Sequence, residues 1–351
     1  MTGPADAATP AATPAAAAPL TWAERLDPHL AAVMAAYPVG LDPADHLADM
    51  GMVRALRSTE GIMAALGTSL PTDDRVAVED RRIDGPAGPG ELEVRLYRPI
   101  AEPGEAESTP LPAVVFCHGG AFVLGDTMSE EHRCLRYAAE AQCLVVSVQW
   151  RHAPEHPFPA GVEDAYAALS WTAGQASELG VDPTRVAVAG TSSGGAFAAA
   201  LTLMARDRGG PDVAVQVLVY PVIDDRLDTP SMRSFDTTPM WTRRSSEQMW
   251  AYYLGADGPA RGAVSPYAAP GREPSLAGLP PAYVMVAELD PLRDEAIAYA
   301  TRLLEAGVPT ELHCYTGTFH GFDAVAPTSP VSRAAIGEQV AALRRGLRAG
   351  A

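Results

Sequence analysis

Short apolar runs alternate with longer helical patterns through most of the chain after residue 75. Runs of this length are typical of buried strands, and a spacing of three to four residues between apolar positions predicts helices. The predicted strands are Val76–Val78, Glu91–Tyr97, Ala113–Cys117, Cys143–Val148, Val186–Ala189, Val213–Tyr220, Tyr283–Ala287 and Thr310–Tyr315. The predicted helices are Glu130–Glu140, Val162–Ser177, Gly195–Arg208, Pro291–Glu305 and Ser332–Arg348.

The order of these elements predicts an α/β fold. Glu91–Tyr97 alternates apolar and polar residues, as a half-exposed antiparallel strand does, and the Gly/Pro cluster Gly85–Gly90 before it suits a hairpin turn. Strands and helices then alternate, which predicts a mostly parallel sheet covered by helices on both faces. Ligands of such sheets bind beyond the carboxyl ends of the strands.

Three segments lie outside this alternation. Residues 1–20 are rich in Ala, Pro and Thr and are predicted to form a disordered tail. Residues 21–72 have helical periodicity and are predicted to form an N-terminal helical cap on the domain of residues 73–351. Residues 224–262 mix polar and aromatic residues after a strand end, and we expect a second cap segment there.

The cap contains several methionines, a flexible residue that suits adaptable apolar pockets. Met34, Met50, Met52 and Met63 are therefore candidates for the lining of a binding pocket. Packing of two helices against the main body explains the same residues equally well.

Composition narrows the function classes. The chain has 351 residues, 47% of them hydrophobic, and a formal net charge of −17. This length suits one large α/β domain with a cap, and the acidic balance argues against binding to nucleic acid or anionic membranes. All 26 basic residues are arginine, so a Schiff-base lysine and a P-loop lysine are excluded.

Cysteine use and the absence of targeting signals favour a cytoplasmic protein. The four cysteines, Cys117, Cys134, Cys143 and Cys314, have no C-x-x-C spacing, and we interpret them as buried reduced thiols. No apolar run is long enough to cross a bilayer, and the N-terminus has neither a basic region nor a leucine-rich core typical of a secretory signal.

The stretch around Ser192 has the pattern of a nucleophile elbow. An apolar strand leads into Gly190-Thr191-Ser192-Ser193-Gly194, and an Ala-rich helical run follows. Strand, tight turn and helix form the context that a G-x-S-x-G motif needs to expose a reactive serine. The glycines are small because side chains there would collide with neighbouring backbone. The same pentapeptide also occurs in an ordinary glycine-rich turn whose serine has no catalytic role. This motif alone therefore does not distinguish a nucleophile elbow from such a turn.

An earlier strand ends in His118-Gly119-Gly120-Ala121-Phe122. Successive glycines let backbone N–H groups turn toward a ligand, as an oxyanion hole requires. The same residues also suit a simple turn after a strand.

Two further residues complete a candidate triad. Asp290 follows a predicted strand, where it suits either a catalytic acid or the N-cap of a helix that begins at Pro291. His320 follows the last strand, between aromatic and glycine residues. The order Ser192, Asp290, His320 is that of an α/β-hydrolase.

The remaining histidines do not form a metal site. His152 and His156 are four residues apart, but Pro154 and Pro157 prevent the helix that would direct both toward one ion. His313 lies within a strand and is interpreted as structural. We therefore predict neither a metal nor a cofactor.

These motifs make the chain resemble the hormone-sensitive-lipase-like esterases, the bacterial family IV carboxylesterases. The resemblance runs from about Glu91 to Phe322. It rests on LYRP at Leu96–Pro99, HGGAF at His118–Phe122, APEHPFPA at Ala153–Ala160, GTSSGG at Gly190–Gly195, SPYAAP at Ser265–Pro270, DPLRDE at Asp290–Glu295 and FHGF at Phe319–Phe322. It implies an eight-stranded α/β-hydrolase core with a helical cap, and cofactor-free hydrolysis of short- to medium-chain acyl esters.

By motif match, the resemblance implies that Ser192 is the nucleophile, Asp290 the acid and His320 the base. It also implies that Gly119, Gly120, Ala121 and Ser193 surround the oxyanion. The elbow is similar to the GTSAGG subgroup, with Ser193 in place of the usual alanine, and Ala121 replaces the third glycine of the usual HGGG. Trp150 and His152 stand where tyrosine and leucine are common, which we interpret as a packing change.

Three functions are consistent with these residues. The first is a serine carboxylesterase that acts on a small-molecule ester through an acyl-enzyme intermediate. The second is a lactone or amide hydrolase with the same triad. The third is a ligand-binding homologue without catalysis. A homodimer through an edge strand or the last helix is compatible with the sequence.

Overall fold

An eight-stranded twisted sheet carries helices on both faces. The structure is a computed structural model that describes residues 21–36, 43–67, 69–86, 88–101, 109–255 and 263–348. The predicted disordered tail, residues 1–20, lies outside the described residues, as does the end of the predicted second cap segment.

The strands follow the alternation of the sequence, and all eight predicted strands are confirmed. They are β1 (Val76–Gly85), β2 (Gly88–Pro99), β3 (Leu111–Cys117), β4 (Leu144–Gln149), β5 (Val181–Thr191), β6 (Val215–Val219), β7 (Ala282–Leu289) and β8 (Thr310–Phe319). Their spatial order is β1-β2-β4-β3-β5-β6-β7-β8. β2 pairs antiparallel with β1 and β4, and the remaining neighbours are parallel. The carboxyl ends of β3 to β8 therefore share one edge.

Helices connect and cover these strands. Before the sheet come α1 (Trp22–Arg25), α2 (Pro28–Ala36), α3 (Pro43–Ala48), α4 (Met50–Ala55) and α5 (Thr59–Leu66). Within and after it come α6 (Glu131–Ala141), α7 (Ala160–Gly174), α8 (Ala176–Leu179), α9 (Ser193–Arg208), α10 (Pro230–Ser234), α11 (Arg243–Leu254), α12 (Arg293–Glu305), α13 (Phe322–Val325) and α14 (Pro330–Gly346).

The core is split by the sheet into two layers. Successive strand residues point to opposite faces, so Val115 and Val188 pack with residues of α7, α9 and α12, whereas Phe116 and Ala189 pack with residues of α6 and α14. Each of these four residues is 0% exposed. Burial on both faces explains why the parallel strands appear in the sequence as continuous apolar runs.

Some details differ from the predicted elements. The helix expected to begin at Pro291 begins at Arg293, because Asp290 and the next two residues form a separate turn. β8 continues to Phe319, so His320 directly follows a strand. All four cysteines are free, but Cys314 is exposed, which corrects the prediction that all four are buried.

The N-terminal helices contact the rest of the chain through specific polar bonds. Trp22 Nε1 donates to Thr237 Oγ1 at 3.2 Å, and Tyr252 of α11 donates to the Leu47 carbonyl at 2.8 Å. Arg25 forms an ion pair with Glu288 near the end of β7. The two segments predicted as caps therefore touch each other, and α1 is joined to the edge where parallel strands end.

A buried arginine joins helices from distant parts of the chain. The Arg133 side chain, on α6, is 0% exposed and donates to Glu130, Gln339 of α14 and Asp323 of α13. Asp323 also accepts from the Tyr220 hydroxyl at 2.7 Å. Burial alone would raise the pKa of Asp323, but the charge of Arg133 and the Tyr220 hydroxyl hold it below its usual value.

Removing this arginine charge should destabilise the fold strongly. Arg133→Met keeps most of the volume but leaves two buried carboxylates without their cation, a change that typically costs about 3–5 kcal/mol. The matched control is Arg136→Met on the same helix, whose partner Glu140 is partly exposed, with an expected cost of about 1 kcal/mol or less. Urea denaturation measures both free energies of unfolding, and equal losses would contradict this assignment.

Candidate active site

Ser192 lies at the sharp turn between β5 and α9. Its backbone has φ +54° and ψ −118°, a conformation that a non-glycine residue adopts only where the surroundings hold it. The Ser192 N–H donates to the Val219 carbonyl at 2.9 Å, and its carbonyl accepts from Val222 N at 3.0 Å. These bonds to the last residue of β6 and to the chain after it hold the strained turn that the elbow pattern predicted.

Two glycines permit this turn because other backbone passes very close to them. A Cβ atom on Gly194 would lie 2.0 Å from the Cys117 carbonyl oxygen and 2.4 Å from that of His118. A Cβ atom on Gly190 would lie 2.1 Å from the Gly194 carbonyl oxygen. The predicted collision of side chains at these two positions is confirmed. Because both residues are glycines, the backbone can pass close enough for Ser192 to lie next to the end of β3.

The three residues of the candidate triad meet at this edge of the sheet. His320 Nε2 lies 2.9 Å from Ser192 Oγ, and His320 Nδ1 lies 2.7 Å from Asp290 Oδ2. Both distances are those of hydrogen bonds. Ser192 and His320 are each 7% exposed and Asp290 is fully buried, so bulk water is largely kept from the carboxylate end of this line.

Asp290 uses both carboxylate oxygens. Oδ1 accepts from the Leu292 N–H at 2.9 Å, while Oδ2 faces His320. The bond to Leu292 spans two residues and closes a local turn. The sequence left a choice between an N-cap and a partner for histidine; the N-cap interpretation was wrong, because α12 begins after Leu292.

The loop after β3, residues 118–126, is here called the glycine loop. Gly120 has φ +128°, and Ala121 and Phe122 follow with φ +56° and +62°. In the described part of the chain, the N–H groups of Gly120, Ala121 and Ser193 have no protein acceptor. Gly119, Gly120 and Ala121 line the cavity over Ser192, whereas Ser193 is fully buried at the start of α9.

Packed aromatic rings support the start of the glycine loop. The His118 ring lies 4.6 Å from that of Trp150, and Trp150 lies 4.6 Å from His152. Burial lowers the pKa of His118, and it lowers that of His152 to about 3. A neutral His118 donates from Nδ1 to the Gly119 carbonyl at 2.6 Å. Trp150 and His152 therefore form part of this support, consistent with the predicted packing change.

The cavity over Ser192 has a volume of about 300 Å³. Tyr220 and Trp241 form an aromatic wall, with ring centres 4.8 and 5.6 Å from that of His320. Leu56 contributes from the N-terminal helices and Trp241 from the segment after β6. The prediction that methionines line the pocket was wrong: none of the four candidates is among the described residues that line it.

One buried residue near the site, at the end of the DPLRDE motif, was not predicted to be part of it. Glu295, on α12, is buried and accepts from the N–H groups of Ile223 and Asp224 at 2.7 and 3.1 Å. Burial raises the pKa of its carboxyl group. These two bonds hold the chain that follows β6, near the nucleophile turn.

No group of three or more His, Cys, Asp or Glu side chains in the described ranges is arranged to hold a metal ion. Over the same ranges, every helix is too short or too polar to cross a bilayer.

A larger cavity, of about 780 Å³, lies at the opposite end of the sheet. It is lined by residues such as Arg185, Val215 and Arg345, near the starts of the parallel strands and the end of α14. Ligands of open parallel sheets bind at the other edge, and the triad lies there.

Comparison with known proteins agrees with this geometry. A family profile described as the alpha/beta hydrolase fold matches residues 114–324. Esterase LipI of Mycobacterium tuberculosis is 40% identical over 274 residues, which cover 78% of this chain and 83% of LipI. Carboxylesterase NlhH of the same species is 36% identical over 326 residues, covering 92% of this chain and 97% of NlhH.

Solved structures give the same result. The structure of a bacterial heroin esterase superposes with a TM-score of 0.84 and 42% sequence identity, over 94% of this chain and 100% of that one. A hyperthermophilic esterase from Pyrobaculum calidifontis superposes with a TM-score of 0.78 and 36% identity, over 92% and 98% of the two chains. The chain belongs to the α/β-hydrolase-fold family, in the hormone-sensitive-lipase-like branch that its motifs indicated.

Proposed function

We propose that the protein is a serine carboxylesterase that hydrolyses short- to medium-chain acyl esters. The observation that carries the proposal is the continuous line from Ser192 Oγ through the His320 ring to Asp290. The relatives named as esterases and carboxylesterases support the same reaction class. No cofactor is needed for this chemistry.

In the proposed reaction, His320 Nε2 takes the Ser192 proton as Oγ attacks the ester carbonyl carbon. The C–O bond of the leaving alcohol then breaks, and His320 returns the proton to that oxygen. Water attacks the acyl-enzyme with His320 again acting as base, which releases the carboxylic acid and restores the serine. Asp290 holds the Nδ1 proton and stabilises the imidazolium formed in each half-reaction.

The developing oxyanion needs fixed donors. We propose that the N–H groups of Gly120, Ala121 and Ser193 receive it, with Gly119 as part of the same turn. Their lack of protein acceptors in the described chain and the position of the glycine loop over Ser192 support this assignment. Each such donor is typically worth about 3 kcal/mol in the transition state. Ala121, which stands in place of the third glycine, has the same backbone N–H group and adopts φ +56°.

We also propose that residues 21–72 and 224–262 act as a cap over this site. Leu56 and Trp241 reach the cavity from these two segments, and the segments contact each other through Tyr252 and Leu47. A cavity near 300 Å³ is at the small end for ligand pockets, which favours small acyl groups. The GTSAGG subgroup remains a prediction from the sequence.

A cytoplasmic location and a homodimer are further proposals. The reduced cysteines support the first. The outer edge of β8, with the partly exposed Leu312 on it, supports the second, because unpaired strand edges favour association. Light scattering after size-exclusion chromatography measures the oligomeric state.

The alternatives differ from an esterase in measurable ways. An amide or lactone hydrolase would turn over a p-nitroanilide or a lactone faster than the p-nitrophenyl ester of the same acyl group. A ligand-binding homologue would turn over none of them and would not react with a fluorophosphonate probe. The esterase proposal requires labelling of Ser192 and a preference for the ester.

Replacing the nucleophile tests the proposal directly. Ser192→Ala should lower kcat for p-nitrophenyl acetate by about 10⁴-fold or more, because attack on the carbonyl loses its oxygen. Fluorophosphonate labelling should disappear as well. Ser177→Ala, an exposed serine on α8, is the control and should keep native activity. Near-native turnover by Ser192→Ala would overturn the proposal.

The role of Asp290 is testable through an isosteric change. Asp290→Asn should lower kcat by about 10⁴-fold, because an amide N–H facing Nδ1 favours the tautomer whose Nε2 cannot accept the serine proton. Asp294→Asn, four residues further on, is the control, since Asp294 binds the Ser231 N–H and not His320. Equal kcat values for the two variants would exclude Asp290 as the partner of the base.

Substrate size should follow the cavity. Across p-nitrophenyl esters from acetate to palmitate, kcat/KM should be highest for short or medium chains and lowest for palmitate, because the cavity beside Ser192 is small. Steady-state rates, measured with each ester below its critical micelle concentration, give kcat/KM for the series. A maximum at palmitate would contradict the proposed substrate class.

A further inference from the structure

The glycine loop contains a conformation that its own residues do not favour. Ala121 and Phe122 are consecutive non-glycine residues with φ +56° and +62°. Such residues cost free energy and persist only where surrounding contacts determine them. The contacts that hold this loop therefore also determine where its free N–H groups point.

Part of the support comes from bonds within the loop and from contacts with the rest of the protein. Val123 N and Leu124 N donate to the Gly120 carbonyl at 2.9 and 2.7 Å, and Ala153 N donates to the Phe122 carbonyl at 2.9 Å. The Phe122 ring stacks on Tyr253 with centres 3.7 Å apart. The Val123 carbonyl is bound by none of these groups.

Arg57, which follows α4, supplies the missing contacts. Its Nε donates to the Val123 carbonyl at 2.8 Å, and its Nη2 donates to the Ala153 carbonyl at 2.9 Å. Because Ala153 N itself binds the Phe122 carbonyl, these bonds close a ring through the guanidinium group. A planar guanidinium can bridge two carbonyls in this way, whereas an ammonium group is a single point of charge.

A carboxylate holds the guanidinium in place. Arg57 Nη2 lies 2.7 Å from Glu155 Oε2, and hydrogen bonding from Arg57 lowers the pKa of Glu155 to about 2. The pair therefore stays charged over the pH range of esterase assays. Arg54 binds the other oxygen of Glu155 at 3.1 Å, and among the described residues its side chain has no bond to the glycine loop.

The N-terminal helices contact the far end of the loop as well. Thr59 N and Thr59 Oγ1 donate to the Asp126 carboxylate at 2.7 and 2.6 Å. Between these anchors and the preceding helix, Leu56 lines the cavity over Ser192. Residues 56–59 thus touch the substrate cavity and two points of the glycine loop.

We propose that Arg57 is a positioning residue for the oxyanion hole, which couples docking of the N-terminal helices to the conformation of the glycine loop. The proposal rests on the proposed esterase function. When the N-terminal helices are docked, Arg57 fixes the Val123 carbonyl, and the free N–H groups of Gly120 and Ala121 face the place where the oxyanion forms. Without that contact the strained turn relaxes and the donors lose their alignment.

The test compares two arginines that share one carboxylate. Arg57→Gln should lower kcat for p-nitrophenyl acetate by about 10- to 100-fold with KM changed less than about threefold, because small displacements of oxyanion donors cost this much. The Ki of a trifluoromethyl ketone, which binds as a tetrahedral oxyanion, should rise by a similar factor. Arg54→Gln should leave kcat and Ki within about twofold of the wild type.

A conservative variant separates charge from geometry. Arg57→Lys keeps the charge beside Glu155 but cannot bridge both carbonyls, so its kcat should fall in the same direction as that of Arg57→Gln. Full activity in Arg57→Lys would show that charge alone suffices and would overturn the proposal. If Arg57→Gln does not accumulate as folded protein, Arg57→Lys carries the same comparison with Arg54→Gln.

Three further outcomes would each refute the proposed role of Arg57. Unchanged kcat and Ki in Arg57→Gln, equal losses in Arg54→Gln, or a raised KM with unchanged kcat and Ki would each refute positioning of the oxyanion donors. Fluorophosphonate labelling of wild-type Ser192 distinguishes failure of the esterase function from failure of the proposed role of Arg57. A wild type that is neither labelled nor active refutes the esterase function, whereas an active wild type with normal Arg57 variants refutes only the role of Arg57.

Discussion

The site depends on the close approach of two backbone segments, the β5–α9 turn and the end of β3. Carbonyl oxygens of Cys117 and His118 occupy the space that a side chain on Gly194 would need. This contact places Ser192 beside the glycine loop and keeps both at the edge where β7 and β8 deliver Asp290 and His320. A single Cβ atom at Gly194 would push the β5–α9 turn away from the end of β3, and so would separate Ser192 from the glycine loop.

Much of this arrangement follows from local pattern. Buried parallel strands are apolar throughout, so each appears in the sequence as a short run, and all eight were predictable. The positions of Ser192, Asp290 and His320 after strand ends then follow from the rule that parallel strands end at one edge. That these three side chains meet was predictable, because the position of each is set by the end of a single strand. The prediction did not require the exact distance between any two strands.

Contacts between distant, irregular segments could not be predicted in this way. Arg57 binds main-chain carbonyls, which every residue has, so nothing in the sequence marks Val123 as its partner. Arg133 is a charged residue on α6, and its burial depends in part on the carboxylate of Asp323, 190 residues further along the chain. The cavity over Ser192 shows the same limit, since helical periodicity could not distinguish Leu56, which lines it, from the neighbouring methionines.

The ion pairs of the described residues use arginine wherever the cation is not histidine. A guanidinium group keeps its charge in alkaline solution, so these pairs lose their attraction only when the carboxylate takes up a proton. The lowered pKa values of Asp323, Asp294 and Glu155 mean that their contribution to stability is present above the unfolded-state pKa and is lost as the pH falls through the folded-state value. The contribution of these ion pairs to the free energy of unfolding therefore persists in mild alkali and is lost in acid.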